Sequence, residues 1–501
     1  MVACTYTMLA EMCLCTFIIL IFCCGIFFFS LQKGRYLDLS NNFTYMLSCS
    51  CLCGIILEVN VPLHGSFYFF NKDYFSILFS ILFLFICLVV FPIIKIYVDK
   101  YSFSFFEYSF LFLMVLFSSM LLIQTYFLIL LYLLFELQNI SLYVLTAFYK
   151  NNGNSIESGL KYFILSSFSS IIMLFGIGLL YCYFGSLHLL DMQVLISALD
   201  MPRQYVYIEL GFSFFTFGLL FKLYCVPLHF WVPDIYHGAP ISTTVLLASV
   251  SYLSTFCVFM NIFFIINVVD LLVIQHGLYY FIILCLLIGG FGGIYQIQIK
   301  RLIAYSSIST VGYLLYGFFD ATEVSVLDTI FFMVTYCVTI VGVFFVLVFI
   351  DRRLSLEQVL ECSTIEHFSG FFFINKYLCL FFGILFFSLS GIPPYTGFFP
   401  KYFIFDDCIT FGESGVFLAM LVNSFCGCFF YINFIKTLYY ESPLCVLSCA
   451  TKHSYFIICV AFIIQVMLFG GLLVAYAPAE FVMLADSSAG FIWSWSLNYG
   501  Y

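Results

Sequence analysis

Charge is what this sequence has least of. Of 501 residues, 26 are acidic and 17 basic, 9% together, against 64% hydrophobic. A soluble domain is roughly a quarter charged, so a chain this poor in charge reads as a polytopic membrane protein. The bases form no stripe of the kind that tracks a phosphate backbone, which excludes nucleic acid as a partner. Cysteine is plentiful, at 22 residues, but no C-x-x-C pairs with another at metal or disulfide spacing. Most cysteines lie inside apolar stretches, as in "CSCLC" at 49–53, where they act as small apolar filler. Redox and nucleophile signatures are missing too: there is no Gly-rich dinucleotide loop and no haem or iron–sulfur spacing. "GGFGG" at 289–293 sits inside an apolar run and reads as close helix packing. No base precedes Lys33, so neither a secretory n-region nor an Arg-rich transit peptide is expected. A first hydrophobic helix from near Met8 is expected to be retained.

What is present in quantity is apolar runs near 20 residues, the length that crosses roughly 30 Å of hydrocarbon. Lipid offers backbone groups no partners, so such runs must be helices or closed strands. Their continuity, without period-two alternation, selects helices. Fourteen spans are expected, at about 8–30, 44–62, 75–97, 105–122, 125–148, 160–184, 205–226, 240–261, 277–296, 301–318, 326–350, 376–404, 414–435 and 455–477. Residues 227–239 read as an irregular, polar-aromatic connection. The 69 Phe and 37 Tyr resemble the bias of AT-rich organellar coding.

The basic residues test this count. Lys33, Arg35, Lys95, Lys100, Lys150, Lys161, Lys300, Arg301, Arg352, Arg353, Lys376, Lys436 and Lys452 follow odd-numbered spans, and only Lys72 and Arg203 follow even ones. Thirteen against two is a strong positive-inside bias. It predicts both termini on the side opposite the matrix or cytoplasm. Asp320, Glu323, Asp328, Asp406, Asp407 and Glu413 collect on that other side.

Two bases are left inside the membrane, Lys222 and Lys401. Each costs about 2.5–3.5 kcal/mol at the centre of a span on insertion scales, unless its stem lets the ammonium snorkel to the interface. Each follows a glycine by four residues, in "GLLFK" at 218–222 and "GFFPK" at 397–401. That spacing puts a notch on the lysine's face one turn away, open to water or another helix. Each also adjoins a helix breaker: Pro227 in one case, Pro393, Pro394 and Pro400 in the other. Paired interrupted spans are the signature of an inverted-repeat transporter. The acidic counterpart is Glu136, deep in the fifth span, with Asn139, Ile140 and Tyr143 on its face. Burial disfavours an ammonium and a nearby carboxylate favours it. One Glu and two Lys are thus the parts of a proton relay.

These residues sit in stretches that resemble one family. "ELQNISLYVL" at 136–145, "GLKYFILSSFSSIIMLFGIGLLYCYFGS" at 159–186, "FKLYCVPLHFWVPDIYHGAP" at 221–240, "IKRLIAYSSISTVGYLL" at 299–315 and "SLSGIPPYTGFFPKYFIF" at 388–405 are similar to subunit 2 of respiratory complex I, NADH:ubiquinone oxidoreductase. The resemblance runs from about residue 105 to 435. It implies an all-α antiporter-like fold of about fourteen membrane helices, with two five-helix inverted repeats and broken helices at spans 7 and 12. The implied organisation is an N-terminal three-helix segment at 1–104, repeats at 105–261 and 262–436, and a C-terminal helix and tail at 437–501. It implies a proton-translocating membrane-arm subunit of the mitochondrial inner membrane, or less favourably of a bacterial plasma membrane. Partners are other membrane-arm subunits and lipid. No cofactor is expected in this chain; NADH, FMN, iron–sulfur clusters and ubiquinone belong to partner subunits.

In the implied relay Glu136 pairs with Lys222, and Lys401 continues the path. His229 is a candidate proton-exit group or a loop-orienting one, and Asp234 and Tyr236 divide the same way. His237 stands where the family usually has Glu. The alternative functions are a stand-alone or multisubunit cation/proton antiporter and a scaffold whose pump has decayed; retention of Glu136, Lys222 and Lys401 argues against decay.

One departure matters more. Span 8 of the family carries a lysine between the two pumping lysines, and Tyr252 in "LLASVSYLSTF" at 246–256 occupies that position here. A hydroxyl both donates and accepts, so a neutral wire of Tyr252, Ser251, Ser254, Thr255 and water is expected in place of a middle charge, with Gly289, Gly290, Gly292 and Gly293 leaving room for the water. Tyr252→Phe deletes only the hydroxyl. It is expected to leave assembly intact and slow proton transfer, and a high-resolution map is expected to show ordered water on the Tyr252 hydroxyl. A fully active Phe variant with Tyr252 packed dry would route the proton elsewhere.

Overall fold

A computed structural model of the chain describes residues 74–101, 105–197, 202–267, 272–320, 322–353, 364–374 and 376–442, with isolated positions between 15 and 72. The expected spans at 8–30 and 455–477, nearly all of that at 44–62, and both termini lie outside the described residues. Among the described residues nine helices are long and apolar enough to cross a membrane. Extended structure among the described residues is limited to Gly65–Ser66 paired with Asn71–Lys72 and a few isolated bridges.

The helices used below are α1 (Tyr74–Tyr101), α2 (Phe105–Gln124), α3 (Leu128–Thr146), α4 (Gly153–Phe184), α5 (Leu189–Ser197), α6 (Pro202–Lys222) and α7 (Trp231–Gly238). A composite span follows: α8 (Ile241–Val245), a π-helical segment at Leu246–Ser251, and α9 (Tyr252–Asn267). Then come α10 (Leu272–Ile294), α11 (Ile299–Asp320), α12 (Glu323–Arg353), α13 (Lys376–Ser390), α14 (Phe398–Phe411) and α15 (Ser414–Tyr440).

Two compact units divide the chain, one formed by residues 1–223 and 238–274 and the other by 224–237 and 275–501. The segment 224–237 thus groups with the second unit although it follows the first in sequence.

In the first unit α4 and α6 lie together along a line of glycines. A Cβ on Gly176 would come within 2.6 Å of the Phe215 nitrogen and 2.8 Å of the Gly211 carbonyl. One on Gly218 would meet the Met173 Cβ at 2.7 Å and the Ser169 carbonyl at 3.1 Å. Small residues let helix backbones approach where no hydrophobic force drives them together. The notch below Lys222 is therefore filled by α4, which settles the choice between water and helix there. The composite span is the most deeply buried of the unit, its whole apolar window enclosed. Its hydroxyls turn back on their own helix: Ser251 donates to the Leu247 carbonyl and Thr255 to that of Tyr252.

The interrupted helices have closely parallel construction. α6 stops at Lys222, and Tyr224 takes a left-handed φ of 67°, a conformation that costs an L-residue roughly 1–2 kcal/mol. α13 stops at Ser390, and Gly391 takes φ 80°. Residues 227–239, expected as irregular, are instead mostly helical: a 3₁₀ turn at Leu228–Phe230 leads into α7. The reason lies in the prolines. Pro233 is the third residue of α7 and Pro400 the third of α14, within the first turn, where no intrahelical N–H bond is lost. What looks like a loop signal therefore starts a second helix.

The glycines of 289–293 are also occupied. A Cβ on Gly289 would sit 2.6 Å from the Ser309 nitrogen, one on Gly290 2.9 Å from the Asn423 Oδ1, and one on Gly293 2.8 Å from the Phe430 ring. Gly292 faces the Tyr305 ring. Helix packing takes this space, so the room for water expected at these four positions is not there.

Gly176 offers a matched test with Gly178, beside which nothing lies within 4 Å. Gly176→Ala is expected to destabilise by about 1–3 kcal/mol through overpacking. Gly178→Ala is expected to be neutral or mildly stabilising, by up to about 1 kcal/mol. Thermal unfolding of the two purified variants, compared side by side, checks the difference.

Candidate functional site

Lys222 is the last residue of α6 and is 8% exposed. Its Nζ lies 3.9 Å from the centre of the Phe135 ring and has no hydrogen-bond partner among the described residues. Glu136, the next residue of α3, acts on it through charge, but no direct salt bridge forms, and the buried Glu136 Oε1 is likewise without a partner. The family-implied pair is thus a near pair, with an aromatic face against the ammonium. A cation–π contact is worth about 0.5–2 kcal/mol, less than the insertion cost of a lysine, about 2.5–3.5 kcal/mol. Phe135 alone does not hold the charge; the field of Glu136 has to contribute.

The polar groups around this pair belong to the same unit. Gln138 donates to the Ser254 hydroxyl at 3.1 Å, and the Tyr143 hydroxyl donates to Ser166 at 2.8 Å. Asn139 is buried, whereas Ile140 is 57% exposed, so only part of the face expected beside Glu136 turns inward. Tyr252 is fully buried and directly follows the π-helical segment. Such segments are rare and recur at functional sites. Here one ends at Ser251, immediately before Tyr252.

In the second unit Lys401 is held quite differently. Its Nζ donates to the carbonyls of Leu389 at 2.8 Å and Ser390 at 3.0 Å. Those are terminal carbonyls of α13, left free by the break, at the negative end of the helix dipole. The Tyr313 ring centre is 5.8 Å from the same ammonium. Two charge-assisted bonds at about 1.5–3 kcal/mol each offset the cost of placing the charge. Beside it lies a cavity of about 30 Å³, lined among others by Ser306, Thr310, Tyr313, Thr335, Lys401 and Asn423. At roughly 10–15 Å³ of accessible space per water, it holds about two.

His229 is buried in the 3₁₀ turn, with its Nδ1 unpartnered among the described residues. Asp234 accepts from Arg301 at 3.2 Å, both side chains being more than a third exposed. Such a pair contributes at most about 1 kcal/mol, but it ties α7 to the start of α11 inside the second unit. Tyr224 meets Trp231 and Tyr236 edge-on, at 5.1 and 6.2 Å. Aromatic packing thus shapes the turn that carries His229.

Membrane spans broken in two places, each break bearing an intramembrane lysine, define an antiporter-like membrane protein. Residues 125–429 match the family model described as NADH:quinone oxidoreductase/Mrp antiporter, TM. The chain is 35% identical over 360 residues to NADH-quinone oxidoreductase subunit N of a Wolbachia from Brugia malayi, covering 72% of this chain and 75% of that one. It is 30% identical over 435 residues to NADH-ubiquinone oxidoreductase chain 2 of Oenothera berteroana, covering 85% and 87%. Among solved structures, a chain of respiratory complex I from Thermus thermophilus with bound Aureothin aligns with TM-score 0.77 and 23% identity over 96% of this chain and 99% of that one. A chain of the Mrp complex from Dietzia sp. aligns with TM-score 0.78 and 15% identity over 100% and 99%. These last two show a shared fold. The protein belongs to the NADH:quinone oxidoreductase/Mrp antiporter transmembrane family, among its subunit N and chain 2 members.

Reading the sequence missed Phe135 under Lys222, the carbonyl cradle of Lys401, and the hydroxyl cavity on α11 and α12. A spacing signal existed for the last: Ser306, Thr310, Tyr313 and Tyr316 recur at three or four residues, on one helix face.

Gly391 tests the cradle. Besides its positive φ, a Cβ there would come within 2.8 Å of the Lys401 Cδ. Gly412 has φ 82° with nothing within 4 Å. Both Ala variants carry the backbone penalty, about 1–2 kcal/mol. Only Gly391→Ala is expected to displace Lys401 as well, seen as a larger fall in thermal stability and a loss of pumping that Gly412→Ala does not share.

Proposed function

We propose that this chain is a proton-translocating membrane-arm subunit of an NADH:quinone oxidoreductase, in which Glu136, Lys222 and Lys401 load and pass protons while partner subunits carry out electron transfer. One observation supports this reading above the others: the two compact units each place an intramembrane lysine at an interrupted helix. Tyr252 stands in the relay as a neutral hydroxyl, and His229 as a buried imidazole in the turn after the first break. NADH, FMN, iron–sulfur clusters and quinone belong to partner subunits in this reading, and this chain binds none of them. The abundance of Phe and Tyr favours an organelle-encoded protein of the mitochondrial inner membrane, with both termini facing the intermembrane space.

The competing reading is a cation/proton antiporter without a redox partner, consistent with the shared fold of the Mrp chain. The names of the subunit N and chain 2 relatives favour the first. Copurification with NADH dehydrogenase activity in a native gel band separates the two.

Replacement of Lys222 by Ala is expected to leave the complex assembled and to reduce NADH-driven pumping. Lys222→Arg keeps a charge whose proton is not released below a pKa of about 12, and it is expected to fail as well. A pH-sensitive dye in sealed vesicles reads both. Full pumping with Arg would leave Lys222 as a structural cation.

A further inference from the structure

Beyond Lys401, the polar face of α11 continues. Tyr313, Tyr316 and Asp320 follow at three- and four-residue spacing on one face, covering about 10 Å along the axis. On α12, Asp328, Phe332, Thr335 and Thr339 make the matching face, of which the last three line the Lys401 cavity. On α14, Asp407 lies six residues past Lys401, about 9 Å further along. All of these belong to the second unit. The acids therefore stand beyond the cavity lining, one to two turns further along the helices that line it.

Three observations show that the group is more than a charged helix end. Asp328 and Asp407 lie in each other's field, and the buried Asp407 Oδ2 has no hydrogen-bond partner among the described residues. Asp320 is 8% exposed; its Oδ2 accepts from Thr322 at 3.2 Å, and its buried Oδ1 has no partner. Tyr316 is fully buried, lies beside the Cys408 thiol, and its hydroxyl finds no hydrogen-bond partner while standing in the field of Asp320 and Asp407. The facing titratable groups are Tyr316 and Asp320 from α11, Asp328 from α12, Asp406, Asp407 and Cys408 from α14, and Glu413 just before α15. Among the described residues no basic side chain pairs with the acids. An orphan hydroxyl in the field of carboxyls whose buried oxygens are themselves unpartnered is a site for a proton or a protonated water.

We propose that Asp320, Asp328 and Asp407, with Tyr316 among them, form the proton-accepting station that follows Lys401. The Lys401 ammonium releases a proton to water in the cavity. The Tyr316 hydroxyl accepts a proton on its oxygen side and donates its own toward the acids. A carboxylate of the group becomes a carboxylic acid, which later gives the proton to bulk water. The acids lie at the ends of spans 10 to 12 on the side away from the basic loops, the release side in the proposed topology. This inference rests on the proton-translocating reading above.

The test uses the assembled complex in sealed vesicles, with Lys401→Ala as the reference. Asp328→Asn and Asp407→Asn are each expected to lower pumping to the level of Lys401→Ala, and Asp407→Glu is expected to recover most of it. Acidifying the release compartment is expected to slow wild-type pumping, and Asp407→Asn is expected to lose or shift that dependence, which a purely structural defect would not move. Should the Asn variants fail to assemble, Tyr316→Phe removes only a hydroxyl and is expected to slow pumping with the same change in pH dependence. Wild-type rates and pH dependence in the Asp and Tyr variants, with Lys401→Ala impaired, would overturn the station and leave the relay standing. Full pumping in Lys401→Ala and Lys222→Ala would instead remove the relay on which it rests.

Discussion

A helix that ends inside a membrane leaves terminal carbonyls with no water to bond, and this one constraint organises much of the described structure. The break after Ser390 is satisfied by Lys401, whose ammonium bonds the Leu389 and Ser390 carbonyls. The lysine and the break therefore answer each other: the charge needs acceptors, and the carbonyls need a donor. Gly391 makes the geometry possible twice over, by adopting φ 80° and by leaving the Lys401 stem its space. Each feature lowers the cost of the other.

The first break solves the same problem with different groups. Lys222 is the terminal residue of its helix and rests on Phe135, while its Nζ receives no hydrogen bond acceptor among the described residues. The Val226 N–H turns to the Cys285 thiol at 3.2 Å within the second unit. An ammonium on an aromatic face with a carboxylate near but not touching is less firmly fixed than one bonded to two carbonyls. The two lysines are chemically alike and energetically unlike.

How much of this was legible follows from which physical signals a sequence carries. Helix-breaking residues and intramembrane charges are intrinsic to residue type, so the interruptions near Pro227 and Pro393 and the placement of Lys222, Lys401 and Glu136 within spans could be read directly. The helicity of 231–238 could not: Pro233 and His237 read as loop signals until the helix start is known, and that start depends on the turn around Tyr224. The glycines below Lys222 and at 289–293 marked close approach correctly, but only packing decides whether water or a helix fills the space; at Gly218 it is α4. The π-helical segment before Tyr252 left no trace in residue type, since Leu246–Ser251 holds neither glycine nor proline. The cavity beside Lys401 depends on helices distant in sequence and was visible only as a hydroxyl spacing.

That hydroxyl spacing carries a further consequence. Ser306, Ser309, Thr310, Thr335 and Thr339 each donate to a carbonyl three residues back on their own helix. Their protons are committed to the backbone, and what they turn toward the cavity is lone pairs. A row of acceptors does not pass a proton by itself; it orients water, which then donates to the row. Such a lining suits a cavity that takes up water, not a wire of hydroxyls alone. Tyr316 differs from this row, because its hydroxyl proton is bound to no acceptor. Along the face of α11 it is the buried hydroxyl free to give one proton as it takes another, so the track changes there from a lining for water to a participant in transfer.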